Sequence, residues 1–282
     1  MAGEMSLFGP DPGSVPVKPA DDRAARLRIL ITVKAAPNPS ETYGETVCVA
    51  GLRVDLESPG WVRLYPINFR ELDSDQKFAK YDIVSLEARP NRSDPRAESW
   101  RPQMATLRKE GHLVGWPRRL GYVSDYIEGS MCGLLDGIRD HPPAKSLAAI
   151  HPRQVTGLDI EPHPGWTPGE QAKIDRYVSQ LELPGMEKAP RTALEAPRFK
   201  GWYKYLCHAP ACKGHRQGIY DWEFVALQRH LSGRSADAAR TELRRRFLDQ
   251  ICAPDRDVVF FVGNQAKRQQ TFMVLGAFYP RR

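Results

Sequence analysis

Two cysteines and two histidines fall within nine residues of the stretch Tyr205 to Glu223, YLCHAPACKGHRQGIYDWE. Cys207, Cys212 and His215 form C-x4-C-x2-H. Thiolate sulfur and imidazole nitrogen are the donors a tetrahedral Zn2+ ion takes, and loops of four and two residues let neighbouring donors converge. Three ligands leave one place open. His208 and Cys252 are the first candidates for it, with Asp221 and His230 behind them. A protein ligand in that place makes the ion structural. Water there would give Asp221 or Glu223 a role as general base in hydrolysis. Ligation by cysteines on short loops favours the closed, structural form. Cys48 and Cys132 read as core residues, Cys48 in a strand and Cys132 beside the apolar face of a helix.

The segment FKGWYKYLC reads as a strand that delivers the first cysteine. After the cluster, Asp221 caps a helix, DWEFVALQRHL, and Ser235 caps a second, ADAARTELRRRFLDQI, with Ala239, Leu243, Phe247 and Ile251 on one face. Two apolar strands follow, DVVFFVG and TFMVLGAFYP, joined by the basic tip NQAKRQQ. Helix, turn, helix, hairpin is an order that resembles a winged helix. That resemblance implies a groove-reading helix carrying Arg240, Arg244 and Arg245, with Lys267, Arg268, Arg281 and Arg282 near phosphates. Nearly continuous apolar strands instead suit the centre of a larger sheet.

The N-terminal half reads as strands: RLRILITVK, ETVCVAGLRV, GWVRLYPI and YDIVSLEARP. They predict a small antiparallel sheet or a partly open barrel over residues 26 to 110. Polar residues crowd its connections. Tyr43, Arg63, Tyr65, Arg70 and Arg96 could form a pocket for a phosphate or a base, with Glu45 and Asp94 as candidate catalytic carboxylates. The competing reading is that Glu45 and Glu98 pair with arginines across a sheet face. Ser124 is expected to cap a helix running to Asp140, and Thr167-Pro-Gly-Glu170 is a capping box. His141, His151 and His163 read as surface residues of a proline-rich stretch.

The chain has 282 residues, 24 prolines, 22 glycines, five cysteines and a formal net charge of +7. A basic excess of that size suits a polyanionic partner without requiring one. An odd cysteine count with two cysteines in a metal-like spacing argues for a reducing compartment, taken as the cytoplasm. No transmembrane helix is expected, and the first residues lack the basic and apolar regions of a secretory signal. The predicted architecture is α+β: a mobile arm over 1–25, a β-rich module with a helical extension over 26–183, a linker over 184–200, and a zinc-binding helix-helix-hairpin module over 201–282. The function expected is nucleic-acid binding, DNA before RNA, around a structural zinc site. The alternatives are a metal- or carboxylate-dependent enzyme acting on a nucleotide or a base, and a non-catalytic interaction scaffold.

Overall fold

A computed structural model describes residues 17–55, 60–70, 72–74, 76–140, 144–179 and 191–282. Most of the expected arm, the first part of the expected linker and His141 lie outside them. No helix among the described residues is long and apolar enough to cross a membrane.

The first half is a closed barrel. Its strands are β1 (Ala25–Lys34), β3 (Gly44–Arg53), β4 (Trp61–Ile67), β6 (Ser99–Pro102) and β5 (Asp82–Pro90), and β5 pairs back onto β1. Every pair is antiparallel except β4 with β6. A short β2 (Asn38–Ser40) adds to β3, and β7 (Arg108–His112) adds to β5. Alternation places Leu27, Ile29 and Ile31 inside the barrel with Val47, Val49, Val62, Leu64, Val84 and Leu86. Helix α1 (Trp116–Val123) follows the barrel.

The second half interleaves two sheets with helices. A strand β8 (Ile127–Glu128) leads into α2 (Met131–Asp140), and β9 (Leu147–Ile150) then pairs with both β8 and β13 (Val259–Gln265). Strand β14 (Arg268–Phe278) completes the sheet as β14-β13-β9-β8. A three-stranded sheet is built from β10 (Gln154–Pro162), β11 (Phe199–Leu206) and β12 (His215–Gly218), with α3 (Pro168–Ser179) between its first two strands. Helices α4 (Trp222–His230) and α5 (Ala236–Arg244) start at the expected caps: Asp221 accepts from the Glu223 N–H and Ser235 from the Ala238 N–H.

The four-stranded sheet is buried on both faces. On β13, Val259 and Phe261 point with Leu147 and Ala149 of β9 toward the outer wall of the barrel, where Leu30, Ala50, Leu52 and Trp61 meet them. Phe260 and Val262, with Ala148 and Ile150, point the other way, onto Met131, Tyr203, Tyr205, Leu243 and Phe247. A two-residue period therefore feeds two separate cores. This corrects the winged-helix expectation: β13 is a central strand, so the final hairpin is no exposed wing. Its register pairs Val259 with Phe278 and Gln265 with Arg268, placing the tip of Lys267 and Arg268 at the opposite end from Arg281 and Arg282.

Two further expectations change. The helix predicted from Ser124 does not run through: β8 interrupts it, and the helix begins at Met131, where the Ser130 hydroxyl accepts from the Gly133 N–H. The prolines at 190 and 197 suggested a linker, but its described part is held to the body. Leu194 is buried and its carbonyl accepts from the Trp166 indole, while Arg198 donates to the carbonyls of Leu231 and Arg234. Strands on both sides of that stretch share sheets, β10 with β11 and β9 with β13.

Candidate metal centre

The expected ligands Cys207, Cys212 and His215 do converge, and the fourth partner is Cys132. Strand β11 ends at Leu206 and delivers Cys207. The chain then turns, with the Cys212 N–H donating to the Ala209 carbonyl, and Gly214 at φ +106° reverses it into β12, which opens at His215. That positive φ strongly favours a residue without Cβ. From the other side, the corrected start of α2 puts Cys132 in the first helical turn. The His208 N–H donates to the Gly129 carbonyl, tying the approach to α2 against the end of β11.

All four donor atoms lie within 4.8 Å of one another. The Cys207 and Cys132 sulfurs are 3.6 Å apart, and His215 Nε2 is 3.5 Å from Cys132 Sγ and 3.4 Å from Cys212 Sγ. Tetrahedral zinc, with Zn–S of about 2.3 Å and Zn–N of about 2.0–2.1 Å, requires S···S near about 3.7 Å and S···N near about 3.5 Å. The residues fit a tetrahedral ion. The Cys207 N–H also donates toward Cys212 Sγ, the kind of second bond that steadies a thiolate ligand. Burial opposes charge on Cys207, but backbone N–H donors at Cys132 and Ala209 together with His215 lower its thiol to about 5. Burial and the neighbouring thiols push Cys132 up to about 12. Three thiolates this close would repel one another, and a divalent cation between them would offset that repulsion.

The other candidates for the fourth place lie elsewhere. His208 stacks on His151, with 3.3 Å between His208 Nε2 and His151 Nδ1, and His151 in turn contacts Asp257 at 2.8 Å. The Cys252 thiol packs against the Phe247 carbonyl, and burial pushes it up to about 12. Asp221 caps α4 and pairs with Lys80 at 2.8 Å, and Glu223 pairs with the same ammonium at 3.2 Å. His230 ends α4. None of them belongs to the cluster, so a metal-bound water with Glu223 or Asp221 as its base has no support in this arrangement.

The barrel residues expected to form a pocket are instead distributed among separate partners. Arg63, buried, donates to the Ser146 carbonyl and hydroxyl and to Cys48 Sγ, while Glu98 accepts from the Ser146 N–H and hydroxyl at 2.8 Å each. Arg70 pairs with buried Glu45 at 2.7 Å and donates to Thr192. Arg96 clamps Asp94 at 2.6 Å and donates to the Asn264 carbonyl. Tyr43 and Tyr65 are exposed. Of the basic residues, Arg245 pairs with Glu242, Arg240 lies 4.0 Å from Asp237, and Arg244 donates to the Leu158 carbonyl. Lys267 and Arg268 are exposed at the hairpin tip.

Comparison with known families divides the chain near the end of the barrel region. Residues 127–282 match a family model described as Domain of unknown function (DUF8757). The chain belongs to that family. Residues 25–125 match a second model, Domain of unknown function (DUF8758). No curated protein matches the chain. All four members of the Cys3His cluster fall inside the DUF8757 portion.

Proposed function

We propose that this DUF8757 chain is a nucleic-acid-binding protein stapled by one structural zinc ion. The observation that carries the zinc assignment is the convergence of three sulfurs and one nitrogen at tetrahedral spacing. A sulfur-rich set of four favours zinc over magnesium or calcium, and a shell filled by protein leaves no place for a reacting water. The ion would join the start of α2 to the β11–β12 hairpin, two pieces of chain 75 residues apart. Five unpaired cysteines favour a reducing compartment such as the cytoplasm.

Support for a polyanionic partner comes from the net charge of +7 and from Lys267 and Arg268, which have no carboxylate partner among the described residues. The preference for DNA over RNA rested on the winged-helix order and does not survive the burial of β13. The face of the barrel formed by its second and third strands, used for oligonucleotides in small Greek-key barrels of the OB kind, is here packed against the second half.

The test has two arms. Purified protein is expected to hold about one zinc per chain, and Cys132→Ser to lose the zinc together with much of its thermal stability, whereas His208→Ala and Cys252→Ala retain it. Binding to a labelled DNA duplex and an RNA strand should weaken with salt, and the Lys267→Ala, Arg268→Ala double variant should lower the slope by about 1 per lost phosphate contact. Metal-free protein that melts like wild type removes the first half of the proposal. Salt-insensitive or absent binding removes the second.

A further inference from the structure

Beside α4, at the end of the β11–β12 hairpin away from the metal ligands, lies a cavity of about 260 Å³. One wall is the barrel connection Ala36–Asn38, held by a hydrogen bond from the Ala36 N–H to the Tyr220 carbonyl. The lining also includes Trp166, Trp202 and Tyr220, together with His163, Lys200 and Arg229.

Three features of this cavity point to the same ligand chemistry. The first is aromatic surface not stacked on another ring. Trp202 faces Gly218 across the β11–β12 ladder, so no side chain on β12 stands opposite it, and among the described residues no aromatic ring stacks on Trp202 or Tyr220. The Arg216 guanidinium covers Trp202 at 4.2 Å. The second is positive charge without a bonded counter-ion: neither Lys200 nor Arg229 has a carboxylate within ion-pair distance among the described residues, and the Arg229 guanidinium lies 6.0 Å from the centre of the Trp222 ring. Glu170, also in the lining, keeps its charge but is held at the start of its helix by the Thr167 N–H and hydroxyl. The third is a set of polar groups suited to a base edge. His163 Nδ1 accepts from the Gly165 N–H, which leaves Nε2 as the donor, and burial with Lys200 nearby keeps the imidazole neutral. Glu195, exposed at the rim, supplies an acceptor for ring or exocyclic N–H groups.

Aromatic faces recognise a planar ring, unpaired cations recognise phosphate, and mixed donors and acceptors recognise a heteroaromatic edge. We propose that this cavity binds a single nucleotide, its base against Trp202 and Tyr220 and its phosphate between Lys200 and Arg229. The site deepens the nucleic-acid reading and rests on it in taking a nucleotide as the ligand class. The same chemistry could be presented by a free nucleoside monophosphate or by the phosphorylated end of a strand. Because Cys207, Cys212 and His215 hold the far end of the same hairpin, the metal centre maintains the register that sets Trp202 opposite Gly218.

The experiment uses the full zinc-loaded chain and follows tryptophan fluorescence and heat on titration with AMP, GMP, CMP and UMP, then with adenosine, guanosine and inorganic phosphate. At least one monophosphate is expected to bind, with its nucleoside and inorganic phosphate each weaker by about ten-fold or more. Lys200→Ala with Arg229→Ala should weaken the monophosphate by about ten-fold or more and spare the nucleoside. Trp202→Ala should weaken both by a similar factor, and Lys267→Ala with Arg268→Ala should change neither. A pentanucleotide with a 5′-phosphate that binds more tightly than the monophosphate assigns the site to strand ends, and the reverse order assigns it to free nucleotide. A normally melting protein that binds none of the four monophosphates, or binds one regardless of Lys200 and Arg229, overturns the proposal. Strand binding that depends on Lys267 and Arg268 without monophosphate binding defeats the cavity site alone. Monophosphate binding without strand binding supports the cavity site and defeats the broader reading.

Discussion

The polar residues of the barrel connections and those at the metal cluster and the cavity of the second half are used in opposite ways. In the barrel, arginines and carboxylates find each other or a neighbouring backbone: Arg70 with Glu45, Arg96 with Asp94, Arg63 and Glu98 with Ser146. In the second half, three sulfurs and one imidazole nitrogen aim at one point, and Lys200 and Arg229 border a cavity without an ion-pair partner among the described residues. A polar group whose hydrogen bonds are all made within the protein is part of the fold. One that is left short of partners is where a ligand can add something. The difference teaches that residue type does not mark a site, and that partner satisfaction does.

The largest effect is expected at Arg63, one of the barrel residues expected to line a pocket. Its guanidinium reaches across to Ser146 just before β9, so it joins the two halves of the molecule. Arg63→Ala leaves the Ser146 carbonyl short of a donor in a buried place and opens a void, a loss of about 2–4 kcal/mol. At about 2–4 °C per kcal/mol for chains near this size, the melting temperature should fall by roughly 5–10 °C. Arg63→Lys should recover little, because a single ammonium cannot reach both Cys48 and Ser146 as the fork does. If thermal melting of Arg63→Ala is unchanged while nucleotide or strand binding disappears, Arg63 is a site residue and the contrast fails.

The same contrast explains which parts were legible in the sequence. Cys207, Cys212 and His215 announce themselves because local spacing and local chemistry coincide. The strands and the caps at Thr167, Asp221 and Ser235 follow from periodicity and from the hydrogen bonds of a helix start. Cys132 was hidden by a shift of helix start. Read from Ser124, it lies inside a helix beside the apolar face, whereas capping by Ser130 places it in the first turn, where its sulfur can leave the helix toward β11. Nothing local could reveal that α2 begins next to the end of β11, since that depends on the pairing of β8 with β9 and of β9 with β13. The cavity was equally out of reach. His163, Lys200, Tyr220 and Arg229 come from four separate segments and meet only through the fold.

A smaller effect tests whether the barrel's pairs stabilise the folded state. Burial alone would raise Asp94, yet the Arg96 fork overrides it and holds the carboxyl down to about 2. An unfolded aspartate titrates near about 3.9. The depressed folded value means the pair's contribution is fully present above about pH 4 and is lost as pH falls through about 2, with a size of roughly 2 kcal/mol. Asp94→Asn is therefore expected to melt several degrees below wild type at pH 7, and the gap should close as melts are repeated toward pH 2. A gap that stays constant across that range would mean the loss comes from packing and not from the ion pair.

The smallest expected effect concerns a buried barrel cation that has a carbonyl and a ring for partners in place of a carboxylate. Lys34 is buried, yet its ammonium meets the Phe78 carbonyl at 3.1 Å and the Phe69 ring at 3.6 Å, with no carboxylate in contact among the described residues. Burial, with Lys80 nearby, lowers it to about 8. The folded state then releases this proton earlier than the unfolded chain, whose lysines titrate near about 10.4. Between those values the unfolded chain binds more protons, so stability should rise with pH across the window. Lys34→Met removes the desolvation penalty but also the carbonyl bond and the cation–π contact, opposing effects of about 1–2 kcal/mol each. The melting temperature at pH 7 is accordingly expected to move little. What should shrink is the Lys34 share of the rise between melts at pH 8 and pH 10, and a variant that keeps the full wild-type rise would show that burying the Lys34 charge costs nothing.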